Sequence, residues 1–330
     1  MEDNKERLYY ENILWEQDKE YVAGIDEAGR GPLAGPVVAA SVIFEPNCNI
    51  IDKINDSKSL QEEDRENLYE IIHDEALSVG IGTVGSKEID ASNILQSTYK
   101  AMRKSVGQLD YDPDFLLIDG RGLPDQIYRN KGIKQGDKKC YSISAASIIA
   151  KVYRDNLMKK YSHIFPDFDF NSHKGYGTKN HRNKIEENFP TPIHRQSFKG
   201  VKEHYQKLLN TNNTRAIGKY GEHLAALHLY NKDYQIVERN YHCSTYGELD
   251  IIAQKSGTIC FVEVKSHRKK GPEPPETSVD RKKMEQLGKI ADAYLYENPY
   301  SDYNCRFDVI SVIFNQYQEK VKHYKNAFIL

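Results

Sequence analysis

At 330 residues the chain is long for one compact core and comfortable for two. Hydrophobic residues make up 39% and charged residues 28%, with a formal net charge of −2. That excludes a globally basic nucleic-acid binder and leaves a local basic patch balanced by carboxylates elsewhere. Five scattered cysteines, odd in number and without a Cys-x-x-Cys pair, exclude a disulfide framework and the usual structural zinc site.

The opening residues, Met1-Glu-Asp-Asn-Lys-Glu-Arg7, lack the apolar core of a signal peptide. No apolar run approaches the ~20 residues that cross a bilayer. The expectation is a reduced, soluble, cytoplasmic protein with no membrane association. After a charged helical leader, Tyr21-Val-Ala-Gly-Ile25 and Val37 to Phe44 read as strands, the second rich in β-branched residues and bounded by Gly and Pro. Ser59 with Glu62 three residues on has capping-box spacing and predicts a helix running to about Ala76. Val79 to Val84 is a third strand, Asn93 to Leu109 a helix, and the wholly apolar Phe115-Leu-Leu-Ile118 a buried central strand. Ile143 to Tyr161 is a helix of small residues, and 188–202, with Pro190 and Pro192, is irregular.

The polar run Leu209-Asn-Thr-Asn-Asn-Thr-Arg215 predicts a boundary, with domains at 1–208 and 215–330 and a linker at 209–214. Beyond it come a helix to Tyr230, strands at 235–240, 249–253 and 258–264, a helix at 280–297 and a strand at 306–314. Both halves alternate strand and helix, so both are predicted to be α/β, the first with a mixed sheet covered by helices.

Asp26 and Glu27 stand where the first strand meets a Gly-rich segment, and Asp119 ends the apolar strand. Ionised carboxylates at buried strand ends are costly unless neutralised. Two such ends meeting in one sheet would repel unless divalent cations sat between them. Oxygen-only ligands favour Mg²⁺ or Mn²⁺. Taken singly, Asp26 reads equally as a loop cap and Asp119 as a turn residue before Gly120. Neighbours on a regular strand face opposite ways, so Asp26 and Glu27 share a site only if the strand ends or bends there.

The run Gly24-Ile-Asp-Glu-Ala-Gly-Arg-Gly-Pro-Leu-Ala-Gly-Pro36 resembles the opening motif of ribonuclease HII. The resemblance continues through Asp56-Ser-Lys-Ser-Leu60, Leu117-Ile-Asp-Gly120, the segment from Gly136 to Asp155, and His173-Lys-Gly-Tyr-Gly-Thr178, spanning about residues 18–205. It implies a ribonuclease H-like fold with four acidic metal ligands at Asp26, Glu27, Asp119 and Asp137. On pattern alone, Asp137 is a charged residue in a polar turn. The resemblance further implies two-metal hydrolysis, with Mg²⁺ or Mn²⁺ as cofactor and cations ~3.5–4 Å apart. The cut falls on the 5′ side of a ribonucleotide. Expected partners are RNA–DNA hybrids and duplex DNA holding single ribonucleotides; no protein partner is indicated.

Reading the 2′-hydroxyl would fall to Gly29, Arg30 and Gly31, where glycine admits close backbone approach; Arg30 alone reads equally as a carboxylate bridge. Tyr176 resembles the family tyrosine that stacks on the deoxyribose beside the ribonucleotide. Lys58, Lys174, Lys179 and Arg182 are candidate phosphate contacts or a solvated basic surface. Ser142, Ser144, Ala145, Ala146 and Ser147 read as close helix packing, with Ser144 or Ser147 as alternative phosphate contacts.

In the second half, Glu263 and Lys265 are two apart on a strand and share a face. With Asp250 on the neighbouring strand and Glu222 on the first helix, they form a second candidate site, a metal position with an adjacent cation. Glu222 lies beside Gly218 and Ala225, a small-residue flank suited to close helix–sheet approach. The motifs Gly218-Lys-Tyr-Gly-Glu222, Glu238-Arg-Asn-Tyr241, Gly247-Glu-Leu-Asp-Ile-Ile252, Phe261-Val-Glu-Val-Lys265 and Arg306-Phe-Asp-Val309 resemble the YraN-like family. That resemblance, over about residues 215–315, implies a restriction-endonuclease-like (PD-(D/E)xK) fold. It leaves two readings open, a DNA nuclease and a non-catalytic nucleic-acid-binding or tethering module. Arg268-Lys-Lys270 and Arg281-Lys-Lys283 are basic enough for DNA, or simply solubilising.

Overall fold

The computed structural model describes residues 7–54, 57, 60–124, 127–243, 246–268, 281–298, 300, 303–314 and 319–328. Lys58, Ser59, Lys269 and Lys270 lie outside the described residues, as does the side chain of Arg268. The chain divides into two compact units. One comprises Met1–Tyr161, Phe170–Thr178 and Ile193–Phe198; the other comprises Ser162–Asp169, Lys179–Pro192 and Lys199–Leu330.

In the first unit, β1 (Val22–Ala28), β2 (Val37–Ile43), β3 (Ser78–Val84), β4 (Phe115–Asp119) and β5 (Asn130–Ile133) form a mixed sheet in the order β3-β2-β1-β4-β5. β1 runs antiparallel to β2 and parallel to β4. All seven residues of β2 are buried, as its near-continuous apolar run requires of a strand covered on both faces. One face packs Val38, Ala40 and Val42 against Ala145, Ile148, Ile149 and Val152 of the long helix Tyr141–Ile164. The opposite face packs Ala23, Ile25 and Ala39 against Tyr99, Ala101, Met102 and Val106 of the helix Ile94–Val106. That second helix starts as expected: Asn93 caps it, its side chain accepting from Gln96 N at 2.9 Å.

The helix expected to be capped by Ser59 begins at Glu62. The helix spans Glu62–Glu75 with Gln61 at its N-cap and no side-chain cap bond, leaving three acidic residues of its first turn to complement the end charge.

The leader forms a helix, Tyr9–Trp15. Its Glu11 is buried against the N-terminus of the long helix. Glu11 Oε1 accepts from Ser142 N at 2.9 Å, Ser142 Oγ at 2.7 Å and Cys140 Sγ at 3.0 Å. A carboxylate there answers helix N–H groups that have no partner within the helix, and the end charge favours it.

The second unit has a five-stranded sheet in the order β10-β9-β8-β7-β6, from β6 (Gln235–Cys243), β7 (Gly247–Lys255), β8 (Thr258–Arg268), β9 (Asn304–Phe314) and β10 (Glu319–Phe328). Only the β8–β9 pair is parallel. The helix Arg281–Glu297 packs Leu287, Ile290, Ala291 and Tyr294 on Leu249, Phe261 and Val309. The helix Thr214–Tyr230 is capped by Asn213, whose side chain accepts from Arg215 N and Ala216 N. It meets β8 at Gly221, where a Cβ would stand 1.6 Å from Ser266 Oγ, whereas Gly218 faces open space. The close approach therefore falls three residues later than the Gly218 flank suggested. β10, a lysine-rich edge strand, had no apolar pattern by which to find it.

Replacing Glu11 with Ala orphans the Ser142 N–H and hydroxyl, and denaturant melting is expected to show a loss of about 1–3 kcal/mol. Glu11→Gln, which keeps an acceptor, is expected to lose less.

Candidate functional site

Asp119 ends β4, and Asp26 lies beside that end on β1, two residues short of the end of its own strand. β1 and β4 pair as far as Ile25↔Ile118, so each carboxylate stands one residue past the last pair. The strand itself neither ends nor bends between Asp26 and Glu27, contrary to the expected condition. It continues to Ala28 against β2, with Asp26↔Ala40 and Glu27↔Ala39. What stops is the neighbour, β4, whose next residue, Gly120, has φ +73°. Asp26 curls back so that Oδ1 accepts from Glu27 N at 2.7 Å, and it takes a further hydrogen bond from the Ser147 side chain. Glu27 Oε1 accepts from Arg30 Nη1 at 3.1 Å, so Arg30 does bridge a carboxylate.

Burial, and then the negative charges of Glu27 and Asp119, push the Asp26 carboxyl well above the ordinary carboxylate range; the Glu27 amide and Ser147 oppose that shift. Asp119 Oδ1 accepts from Gly136 N at 2.7 Å. Asp137 follows on the single turn Gly136–Lys139, buried, its carbonyl accepting from Ser144 Oγ at 2.7 Å. Asp26, Glu27 and Asp119 are thus brought into electrostatic contact, and Asp137 adjoins the residue that holds Asp119. Among the described residues no group of three or more His, Cys, Asp or Glu side chains is gathered closely enough to hold a metal ion as it stands. The donor set nonetheless fits hard divalent cations: it is oxygen only, and Asp26 is under the like-charge pressure that a cation would relieve.

The serines of the long helix are spent inside the protein. Ser144 and Ser147 are buried, and Ser147 Oγ also lies 2.7 Å from Ser57 Oγ; the packing reading holds over the phosphate one.

Two arginines that sequence reasoning missed underlie the Gly-rich loop. Arg154 and Arg195 are 1% and 0% exposed. Arg154 donates to the carbonyls of Pro36 (3.0 Å), Lys174 (3.0 Å) and Ala34 (3.2 Å). Arg195 donates to those of Gly35 (3.1 Å), Arg30 (2.7 Å) and Gly29. Burial and the charge of Arg154 lower the Arg195 guanidinium to about 9. Gly29, at φ +94°, would place a Cβ 2.0 Å from Arg154 Nε, so no other residue fits there without displacing the arginine. Gly31 has Tyr176 Cε1 at 3.9 Å from where its Cβ would be, and Tyr176 is 45% exposed. Lys174 Nζ is turned to Asn171 O at 2.7 Å and Glu62 at 3.7 Å. Lys179 and Arg182 are exposed on the helix Lys179–Asn188.

In the second unit the pairing Ile251↔Val262 sets Asp250 beside Glu263. Asp250 Oδ2 accepts from Val264 N at 2.6 Å, and Lys265 Nζ donates to Glu263 Oε1 at 2.7 Å. Lys283 Nζ, part of a run read in the sequence as basic enough for DNA or simply solubilising, lies 3.4 Å from Glu263 Oε2. Burial and the Glu263 charge raise Asp250 to about 7. Burial also raises Glu222, which sits 3.6 Å from buried Arg239 Nη2.

Comparison with known proteins places these residues in context. Residues 23–201 match the family model described as Ribonuclease HII, and residues 221–312 match Uncharacterised protein family UPF0102, which is the YraN family of restriction-endonuclease-like fold. A ribonuclease HII of Clostridioides difficile (strain 630) is 50% identical over 189 residues, 57% of this chain and 74% of that protein. One from Caldanaerobacter subterraneus subsp. tengcongensis is 47% identical over 194 residues, 59% of this chain and 80% of that protein. The crystal structure of ribonuclease H2 from Pyrococcus horikoshii OT3 superposes with a TM-score of 0.50 at 26% identity, covering 58% of this chain and all of that one.

The Asp26 shift carries a sign. A carboxyl raised by folding is held protonated more readily in the folded chain, so its contribution to stability is present below the ordinary value of 3.8. It is lost as pH rises from there through the raised value. Asp26→Asn is expected to raise the melting temperature of protein kept in EDTA at neutral pH and to flatten that decline. The same substitution is expected to lower activity by at least about 10²-fold. Fluorimetric melts across pH check the first point; a variant less stable than the parent would contradict it.

Proposed function

The chain belongs to the ribonuclease HII family, and on that premise we propose that Asp26, Glu27, Asp119 and Asp137 hold two divalent cations, Mg²⁺ or Mn²⁺, against a scissile phosphate. The enzyme is a type 2 ribonuclease H endonuclease. In our reading it hydrolyses the phosphodiester 5′ of ribonucleotides, both in RNA–DNA hybrids and singly embedded in duplex DNA. The carrying observation is the buried Asp26 carboxyl pressed by Glu27 and Asp119 where β4 ends beside β1.

When bound, the cations activate the attacking water, hold the phosphate in line and neutralise the leaving oxygen. The chain's own groups orient that arrangement. Ser147 and the Glu27 amide fix Asp26, the Gly136 amide fixes Asp119, and Arg30 steadies Glu27. Gly29, Arg30 and Gly31 contact the ribose 2′-hydroxyl, the group that separates RNA from DNA, with Tyr176 stacking on the next sugar. Lys58 and Lys174 add phosphate contacts, the sequence-independent part of affinity. For Lys174 that requires leaving Asn171 and Glu62. All five cysteines are free thiols, which supports a cytoplasmic, reducing location.

We place the division between the two modules at residues 209–214, where one helix ends at Asn210 and the next begins at Thr214. For the second module we favour a DNA nuclease built on Glu222, Asp250, Glu263 and Lys265. The side-by-side Asp250 and Glu263 with Lys265 bonded to Glu263 support that reading over a tethering module.

A duplex holding one ribonucleotide is expected to be cut once, 5′ of it, in Mn²⁺ or Mg²⁺ and not in EDTA; an uncut duplex under both ions refutes the first reading. Tyr176→Ala is expected to lose junction selectivity by about tenfold, the scale of one stacking contact, at unchanged cation requirement. Equal losses on both counts would contradict its role. For the second module, Asp26→Asn with Asp119→Asn is assayed on branched, nicked and duplex DNA. Residual cleavage that disappears with Lys265→Ala supports a second active site, and no cleavage on any of them supports tethering.

A further inference from the structure

Arg154 and Arg195 are unusual among the buried groups in that both guanidiniums spend their donors on main-chain carbonyls. Between them they hold Gly29, Arg30, Ala34, Gly35, Pro36 and Lys174. A guanidinium stays charged at neutral pH and offers five N–H groups in one rigid plane, so it fixes several carbonyls in a single geometry. A trans peptide points its C=O and the following N–H in opposite directions. Anchoring the Gly29 and Arg30 carbonyls inward on Arg195 therefore turns the amides of Arg30 and Gly31 away from the buried arginine. Two successive outward amides suit an oxygen acceptor such as a sugar hydroxyl. Arg154 adds the second half of the frame. It joins the 34–36 end of the loop to Lys174, and its Cζ lies 5.9 Å from the centre of the Tyr176 ring.

We propose that Arg154 and Arg195 are positioning residues for ribonucleotide recognition, holding the 29–36 loop and the Lys174–Tyr176 turn as one rigid frame. The frame aims the Arg30 and Gly31 amides and the Tyr176 ring at the substrate sugar. This rests on the reading that the loop contacts the ribonucleotide. The six bonds described for the two arginines all go to main-chain carbonyls of the loop and the turn, so their effect falls first on placement of the sugar.

Arg195→Lys and Arg154→Lys keep the charge and remove the planar fork. The full chain and both variants are assayed on a duplex with one ribonucleotide, with all-DNA duplex as competitor and with Mn²⁺ varied. Thermal unfolding establishes that each variant is folded. For Arg195→Lys the expected result is a KM raised at least about tenfold, the scale on which small misplacements act. The kcat, the Mn²⁺ concentration for half activity and inhibition by plain duplex stay as in the parent. Arg154→Lys is expected to shift KM in the same direction, and it decides the matter should Arg195→Lys fail to fold. A folded variant with the parent's KM means that charge alone suffices and overturns the proposal, as does a loss confined to kcat or to Mn²⁺ dependence. A parent enzyme that leaves the ribonucleotide duplex uncut defeats the functional reading itself, which the variants cannot mimic.

Discussion

Burying Asp26 beside Glu27 and Asp119 concentrates more negative charge at the end of β4 than a protein interior tolerates unaided. Much of the first unit is arranged around that constraint. The Ser147 side chain, the Glu27 and Gly136 amides and the Arg30 guanidinium all point donors at these carboxylates. Such donors reduce the repulsion without removing it, which is why the site suits divalent cations. The second unit meets the same difficulty with other means. There Asp250 and Glu263 are adjacent on antiparallel strands, answered by the Val264 amide and by Lys265 and Lys283. Two unrelated sheets thus arrive at paired acids beside a strand, one flanked by amides and hydroxyls, the other by lysines.

The strand ends were legible because a wholly apolar run must be central in its sheet, and an acid at its end must then be near the core. Asp119 is found that way; Asp26 is read from the Gly-rich segment that follows it. Asp137 is found neither way: its neighbours Lys138 and Lys139 make a polar turn, and the tie between that turn and β4 is the tertiary bond from Gly136 N to Asp119. The reservation about Asp26 and Glu27 was sound as strand geometry but looked at the wrong strand. Termination of β4 leaves the flank of β1 open without any bend.

Arg154 was illegible for a related reason. In Lys151-Val-Tyr-Arg-Asp155, Lys151 pairs with Asp155 at i, i+4. That leaves no local sign that Arg154 turns inward to carbonyls far away in sequence. Arg195 sits in a stretch without periodicity at all. In the second unit Glu263 and Lys265 were readable from the two-residue repeat of a strand. Lys283 was not, because its partner lies on a strand of the sheet and not on its own helix.

The family match begins at residue 23, yet Glu11 holds the first turn of the helix that carries Ser144, Ser147 and Arg154. The limit drawn by aligning relatives is therefore not the limit of physical dependence. A shortened version cut at the aligned boundary would retain every proposed catalytic group of the first module. It would leave bare the end of the helix whose Ser147, Ser144 and Arg154 hold Asp26, the Asp137 carbonyl and the Gly-rich loop.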